Sequence, residues 1–76
     1  MNITCIYCNW SGLFLFFEKD HITPLSRGGS DTPNNIRWIC FGCNRQKSDK
    51  THIEYILWRI ANPLLANIGV AILPKG

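Results

Sequence analysis

The sequence predicts a small α+β domain that a structural zinc ion stabilises, and three observations predict it. Two C-x-x-C pairs supply four thiols in the spacing of metal ligands: Cys5 and Cys8, then Cys40 and Cys43. Short apolar runs bounded by turn residues precede the second pair, and an apolar repeat of helical period follows it. Because 76 residues leave room for only one core, we assign residues 1–76 to a single domain.

The cysteines offset a shortage of apolar core. With 46% hydrophobic residues the chain is apolar enough to fold, but a chain this short buries only ~60% of its unfolded surface. A structural zinc site contributes about 10–16 kcal/mol of folding free energy. The alternatives are iron on the same four thiolates, or two disulfides. We favour a reduced, zinc-bound site because the N-terminus carries no visible secretion signal.

Two strands are expected between the cysteine pairs. The apolar run at 13–17 predicts the first strand, and the run at 35–39 predicts the second, which enters the second pair. Pro24 ends any regular element after the first strand. Gly, Ser and Asn residues then predict a turn-forming loop over 26–34.

An amphipathic helix over about 51–62 is predicted after the second cysteine pair. Thr51 and Glu54 have the spacing of a capping box at its start, and Pro63 ends it. Its apolar stripe, which we expect to cover the core, consists of Ile53, Ile56, Leu57 and Ile60. The tail at 63–76 is apolar without a clear period, so it either adds a strand or covers a neighbouring core.

Polar residues beside these elements have the chemistry that phosphodiester hydrolysis needs. Asp20 and Asn44 offer the hard oxygen ligands that magnesium and manganese prefer. His21 has a side chain whose pKa suits a general base near neutral pH. Asn35 could hydrogen-bond the loop or the imidazole and fix its orientation. The alternative is a polar turn in which these side chains satisfy one another.

The order of these residues closely resembles the HNH endonuclease family. The resemblance covers about residues 5–51 and rests on C-I-Y-C followed by the string D-H-I-T-P-L-S-R-G-G-S-D-T-P-N-N-I-R-W-I-C-F-G-C-N-R-Q-K-S-D-K-T. It implies a β-β-α metal finger of treble-clef-like form, in which two antiparallel strands and a helix hold a divalent ion beside a four-cysteine zinc.

The resemblance also implies a role for each signature residue. The general base falls on His21 and the acidic metal ligand on Asp20. The asparagine that positions the histidine and its loop falls on Asn35, and the metal ligand at the third signature position falls on Asn44. The chain is therefore an H-N-N variant, as in the HNH domains of RNA-guided CRISPR effectors.

Basic residues around the second cysteine pair are expected to contact DNA phosphates. The net charge is +3, and four of the eight Lys and Arg residues lie within 37–50: Arg37, Arg45, Lys47 and Lys50. A solvated face is the alternative for these residues. The modest charge and short chain favour double-stranded DNA bound with weak sequence specificity.

Together these observations predict a metal-dependent DNA endonuclease or nickase with magnesium or manganese as its catalytic ion. The alternative is a non-catalytic, zinc-ribbon-like module that binds DNA or protein. A homodimer formed through the tail, or a larger partner, would supply further specificity. We expect no membrane segment, because the longest apolar run covers only 13–17, and a cytoplasmic protein, because no secretion signal is visible. Small nucleases of this kind resemble those that phages and mobile elements encode.

Overall fold

The computed structural model describes residues 2–71 as short strands followed by three helices. The elements are β1 (Asn2–Thr4), β2 (Ser11–Leu13), β3 (Phe17–His21), β4 (Ile36–Cys40), α1 (Phe41–Lys47), α2 (His52–Ala61) and α3 (Pro63–Ala71). Single 3-10 turns lie at Phe14–Phe16, Leu25–Arg27 and Pro33–Asn35. Over residues 2–71, no helix has the length and apolar character needed to cross a membrane.

Two antiparallel hairpins form the β part of the fold. β1 pairs with β2 around the first cysteine pair, with Ile3 opposite Gly12. β3 pairs with β4 from Phe17 opposite Cys40 to His21 opposite Ile36. Helix α1 follows β4 without a loop, because Cys40 is both the last residue of the strand and the N-cap of the helix. β3, β4 and α1 are therefore the β-β-α unit that the family resemblance implied.

The first expected strand, at 13–17, is wrong in its position. Residue Leu13 ends β2, a 3-10 turn follows, and Phe17 begins β3. The chain must change direction there, since it passes from one hairpin to the other. β3 then continues through the polar residues as far as His21, because these residues pair with β4. Apolar composition does not explain this part of the strand. Within the run, Leu15 is 71% exposed whereas Phe17 enters the core.

The second strand and the tail also differ from expectation. β4 begins at Ile36 rather than at residue 35, because Asn35 closes a 3-10 turn in which its N–H donates to Thr32 O at 2.8 Å. The tail forms helix α3 as far as Ala71, so the strand alternative fails over these residues. Gln46 donates to Leu65 O at 2.7 Å, which fixes α3 against α1. Residues 72–76 lie outside the described part of the chain.

Helix α2 has the expected capping box but turns a different face to the core. Tyr55 is fully buried and stacks on Trp58 with ring centroids 5.9 Å apart. Two aromatic rings bury more apolar area than aliphatic side chains at the same depth. The expected stripe is therefore wrong about which face is covered: Ile53, Leu57 and Ile60 are 62%, 59% and 72% exposed.

The hydrophobic core is built largely around the cysteines. Its buried members are Cys5, Phe17, Ile39, Cys40, Cys43 and Tyr55. Three of these six residues are cysteines, so the sulfur cluster supplies half of the buried core residues. Trp10 covers one side of this core by stacking on Phe17, with ring centroids 5.6 Å apart.

The capping box gives a test of the local stability of α2. The Glu54 carboxylate accepts from Thr51 N at 2.9 Å, and the Thr51 hydroxyl accepts from Glu54 N at 3.3 Å. Thr51→Ala removes one of these bonds and should lower the free energy of unfolding by about 1 kcal/mol. Thr51→Ser keeps the hydroxyl and should match the native protein. Denaturant titration of both variants checks this, and equal stability of Thr51→Ala and Thr51→Ser would contradict it.

Candidate metal centre and active site

The four cysteine sulfurs converge on one point between the two hairpins. All four Sγ atoms lie within 4.8 Å of one another, and Cys8 Sγ lies 3.6 Å from Cys40 Sγ. A tetrahedral zinc with Zn–S bonds of about 2.3 Å separates its sulfurs by about 3.8 Å, whereas a disulfide would require about 2.05 Å. All four are free cysteines. The cluster is therefore positioned to hold a metal ion, and four thiolates in this arrangement suit zinc.

The surroundings of the cluster match a bound cation. Contacts with Cys40 and then Cys43 lower the pKa of the Cys8 thiol to about 7, whereas contacts with Cys40 and then Cys5 raise the pKa of Cys43. Four thiols this close cannot all ionise unless positive charge lies among them. Cys43 N–H donates to Cys40 Sγ at 3.4 Å, and the Arg59 guanidinium approaches Cys43 Sγ at 3.8 Å. These donors reduce the negative charge that a tetrathiolate site concentrates.

A polar cleft with a volume of about 390 Å³ opens at the end of β3. It is lined by Lys19, Asp20, His21, Pro24, Leu25, Ser26, Asn44, Ser48 and Asp49. Asp20, His21 and Asn44, three of the four expected active-site residues, thus share one cavity. Asp20 and His21 are consecutive residues of a strand, so their side chains point to opposite faces. Both line the cleft, because β3 ends at His21.

His21 contacts an acidic residue of the loop that connects β3 to β4. Its Nε2 lies 2.8 Å from Asp31 Oδ1, and the Lys19 ammonium lies 3.8 Å from the same oxygen. The hydrogen bond with His21, followed by the charge of Lys19, lowers the pKa of the Asp31 carboxyl. Asp31 is therefore an anion in contact with the imidazole.

Asp20 is buried in a network of charged groups. Lys47, also fully buried, places its ammonium 3.0 Å from Asp20 Oδ1 and 2.8 Å from His21 O. Arg37 Nε lies 3.8 Å from Asp20 Oδ2, and the guanidinium also donates to Tyr7 OH and to His52 Nδ1. Burial, and then the charge of Arg37, lowers the pKa of His52, so this ring accepts the Arg37 hydrogen bond in its neutral form.

Asn44 lies on α1, one residue after the second cysteine pair, and faces the cleft. Its Nδ2 donates to Glu18 Oε1 at 3.1 Å, and Arg45 Nη1 lies 3.3 Å from the same oxygen. Since Glu18 accepts from the amide nitrogen, the amide oxygen of Asn44 is the atom left to serve as a ligand. Glu18 and Asp20, two residues apart on β3, share a strand face.

Asn35 lies behind the loop rather than in the cleft. Its Oδ1 accepts from Thr23 N at 2.9 Å, and its Nδ2 donates to Thr23 O at 2.9 Å and to Ser30 O at 2.7 Å. Gly29 lies against the same groups, and a Cβ there would lie 1.8 Å from Thr23 O. One amide therefore joins both ends of the loop that follows His21.

None of the four expected phosphate-binding residues lines the cleft. Arg37 and Lys47 turn inward to Asp20, which differs from the expected contact with solvent and phosphate. Lys50 donates to Gln46 O at 3.2 Å and covers the Trp58 ring. Arg45 is exposed at the edge of the site, beside Glu18.

Three residues at the site are not among the site residues that the sequence predicts: Lys19, Asp31 and Glu18. The sequence does carry a signal for Lys19 and Glu18, because residues at i and i+2 of a strand share a face. Glu18 therefore accompanies Asp20, and Lys19 accompanies His21. No local pattern places Asp31, since its contact with His21 spans ten residues.

Two antiparallel strands, a helix that follows directly, and a cysteine cluster beside a polar cleft define the class of β-β-α metal fingers. The sequence model of the HNH endonuclease family matches residues 5–50, more than half of the chain. The chain therefore belongs to the HNH endonuclease family, as its motifs predicted. No curated protein and no solved structure matches it significantly. HNH proteins are generally endonucleases that act on DNA, so the family indicates nucleic-acid chemistry.

The sulfur geometry predicts one tightly bound metal ion per chain. Protein purified with zinc should contain one equivalent of zinc, and its four thiols should resist alkylation until a chelator is added. Cys8→Ser removes one ligand and should lower zinc affinity by at least tenfold. Mass spectrometry of the native and the alkylated protein measures both quantities. Two disulfides in the freshly purified, unreduced protein would contradict this assignment.

The buried ion pair predicts a large loss of stability when Lys47 is neutralised. Lys47→Met leaves Asp20 buried without its closest counter-ion, and should cost about 3–5 kcal/mol of unfolding free energy. Lys50→Met makes the same change at a more exposed lysine of the same segment and should cost no more than about 1 kcal/mol. Denaturant titration of both zinc-loaded variants makes the comparison. Equal losses in the two variants would show that the Asp20–Lys47 pair has no special role.

Proposed function

We propose that the protein is a metal-dependent DNA endonuclease that hydrolyses phosphodiester bonds in the cleft at the end of β3. The observation that carries this proposal is the convergence of Asp20, His21 and Asn44 on one cavity. A general base and two oxygen ligands that line one small cleft are what hydrolysis of a phosphodiester requires. The family to which the chain belongs supports the same chemistry.

Asp20 and Asn44 are suited to hold a divalent cation. Within residues 2–71, Asp20 Oδ2 is buried and accepts no hydrogen bond. Arg37 Nε lies 3.8 Å away and is likewise buried without a hydrogen-bond partner among these residues. The carboxylate oxygen therefore keeps a lone pair with which it can bind a cation. Carboxylate and amide oxygens are the donors that magnesium and manganese prefer. When bound, such an ion would supply the positive charge that stabilises the leaving oxygen.

The remaining chemistry falls to the side chains of the cleft. Nε2 of His21 donates to an anionic oxygen, so Nδ1 is the nitrogen that accepts a proton from a water molecule, whose oxygen then attacks the phosphorus atom. The bond between phosphorus and the 3′-oxygen breaks, and the 3′-oxygen takes up a proton. The products are a 5′-phosphate and a 3′-hydroxyl. Asn35 acts at a distance, because its three hydrogen bonds hold the loop that follows His21.

The basic residues have different proposed roles, depending on whether they lie at the surface or in the interior. Arg45 stays a candidate phosphate contact, because it is exposed and follows Asn44 directly. Lys50 is a second candidate at the end of α1. Arg37 and Lys47 hold Asp20 in place instead. A monomer has one cleft and therefore cuts one strand at a time, whereas cleavage of both strands at one site needs a second copy.

Conversion of supercoiled plasmid DNA tests the proposal. Zinc-loaded protein with magnesium or manganese should produce open-circular DNA. His21→Ala should lower the rate by about 10²–10⁴-fold because it removes the general base. Asp20→Asn and Asn44→Ala should raise the concentration of divalent ion needed for half-maximal rate.

The chain offers a matched control in its only other histidine. His52 lies outside the cleft, and the amide oxygen of glutamine can still accept the hydrogen bond of Arg37, so a His52→Gln protein that retains its zinc should cleave at close to the native rate. Intact plasmid with every divalent ion tried would refute the nuclease proposal. If that protein still bound DNA, and bound it equally well after His21→Ala, a non-catalytic DNA-binding module would be the correct interpretation.

A further inference from the structure

The outer face of β3 carries Lys19, a cation to which the proposed reaction assigns no role. Lys19 and His21 are two residues apart on the strand, so their side chains lie on the same face. Lys19 is exposed, with 48% of its side chain accessible, and lies opposite the exposed Trp38 of β4. Asp20 and Arg37 form the next pair of the register and face the interior. Lys19 is therefore the more accessible of the two cations in this register, since only 23% of the Arg37 side chain is accessible.

Lys19 is also the one Lys or Arg that lines the described cleft. Two acidic residues, Asp20 and Asp49, line the same cavity. A polyanion that enters such a cleft needs a cation beside the reacting phosphate, because negative charges otherwise repel it. Lys19 has the position and the exposure for this contact.

The Asp31 carboxylate marks where an anionic oxygen fits between Lys19 and His21. A single oxygen, Oδ1, lies 2.8 Å from His21 Nε2 and 3.8 Å from Lys19 Nζ. Asp31 itself is 61% exposed, so solvent reaches the pair from the open side. A phosphate oxygen of DNA has the same charge and the same hydrogen-bonding capacity as this carboxylate oxygen.

The loop geometry lets the Asp31 side chain leave without unfolding its surroundings. Asn35 Nδ2 holds Ser30 O at 2.7 Å, directly before Asp31. The main chain is thus anchored while the side chain of Asp31 rotates. Exposed ion pairs of this kind are weak, so a phosphate that brings further contacts can replace the carboxylate.

We propose that Lys19 and His21 form the phosphate-binding pair of the cleft, and that the Asp31 carboxylate occupies this position until a DNA phosphate displaces it. The inference rests on the proposed function, since it takes DNA as the ligand, but it concerns binding and not cleavage. Asp31 then acts as an internal competitor that weakens DNA binding, and Lys19 is the residue for which it competes.

Equilibrium binding of a short fluorescent DNA duplex tests this, with zinc-loaded protein and no added magnesium or manganese. Lys19→Gln should raise Kd by about 5-fold and reduce the slope of log K against log salt by about 0.9. Lys19→Arg should restore both values. Asp31→Asn should lower Kd by about 5-fold, because it removes the competitor.

Asp49→Asn is the matched control. It removes the same charge from a residue that lines the cleft but, within residues 2–71, forms no ion pair with Lys19 or His21. It should lower Kd by less than about twofold. In the Lys19→Gln background, the effect of Asp31→Asn should likewise shrink below about twofold, because the two residues compete through one contact. Unchanged zinc content and circular dichroism verify that each variant is folded.

Three results would overturn the inference: equal effects of Asp31→Asn and Asp49→Asn, an Asp31→Asn effect that persists without Lys19, and no measurable binding by the native protein. Failure of the nuclease proposal looks different. Protein that shows the predicted binding pattern but leaves plasmid intact with every divalent ion would refute the nuclease and support the phosphate-binding pair. Metal-dependent cleavage with an unaltered Kd in Lys19→Gln would support the nuclease and overturn the pair.

Discussion

Four sulfur atoms join parts of the chain that otherwise share little core. Cys5 and Cys8 belong to the N-terminal hairpin, Cys40 ends β4, and Cys43 lies in the first turn of α1. Helix α2 adds its buried tyrosine and an arginine to the same cluster. The sulfur cluster therefore sets the position of the strand and the helix that border the cleft. The four thiols lie at both ends of the segment that carries the cleft, so one bound metal ion would hold both ends.

The strand β3 connects the sulfur cluster to the cleft. Along β3, Asp20 faces the interior and meets Lys47, while Lys19 and His21 face outward and meet Asp31. Alternation along the strand thus separates the proposed metal-ligand site, which is buried, from the proposed phosphate site, which is more exposed. Asn44, fixed next to the second cysteine pair, completes the inner side. The proposed hydrolysis uses both sides at the strand end, where the cleft reaches around His21.

Sequence reasoning succeeded where the spacing of residues along the chain reflects ligand geometry. The cysteine cluster was predictable in this way, and the family resemblance implied the β-β-α order and one site for Asp20, His21 and Asn44. It failed where contacts between distant residues decide the outcome. The apolar run at 13–17 is mostly a 3-10 turn between β2 and β3, because strand pairing and not composition decides where β3 begins. The burial of Lys47 arises from a partner 26 residues away, and two aromatic rings decided which face of α2 packs inward.

Hydrogen–deuterium exchange of zinc-loaded and zinc-stripped protein tests most directly whether the sulfur cluster organises the cleft. With zinc bound, the backbone amides of β3, β4 and α1 should exchange slowly. Once zinc is removed under reducing conditions, protection should fall together across all three elements, because their shared core is the cluster itself. If these elements stayed protected without zinc, and only residues 5–9 exchanged faster, the cleft would be stable by itself. That result would contradict the account.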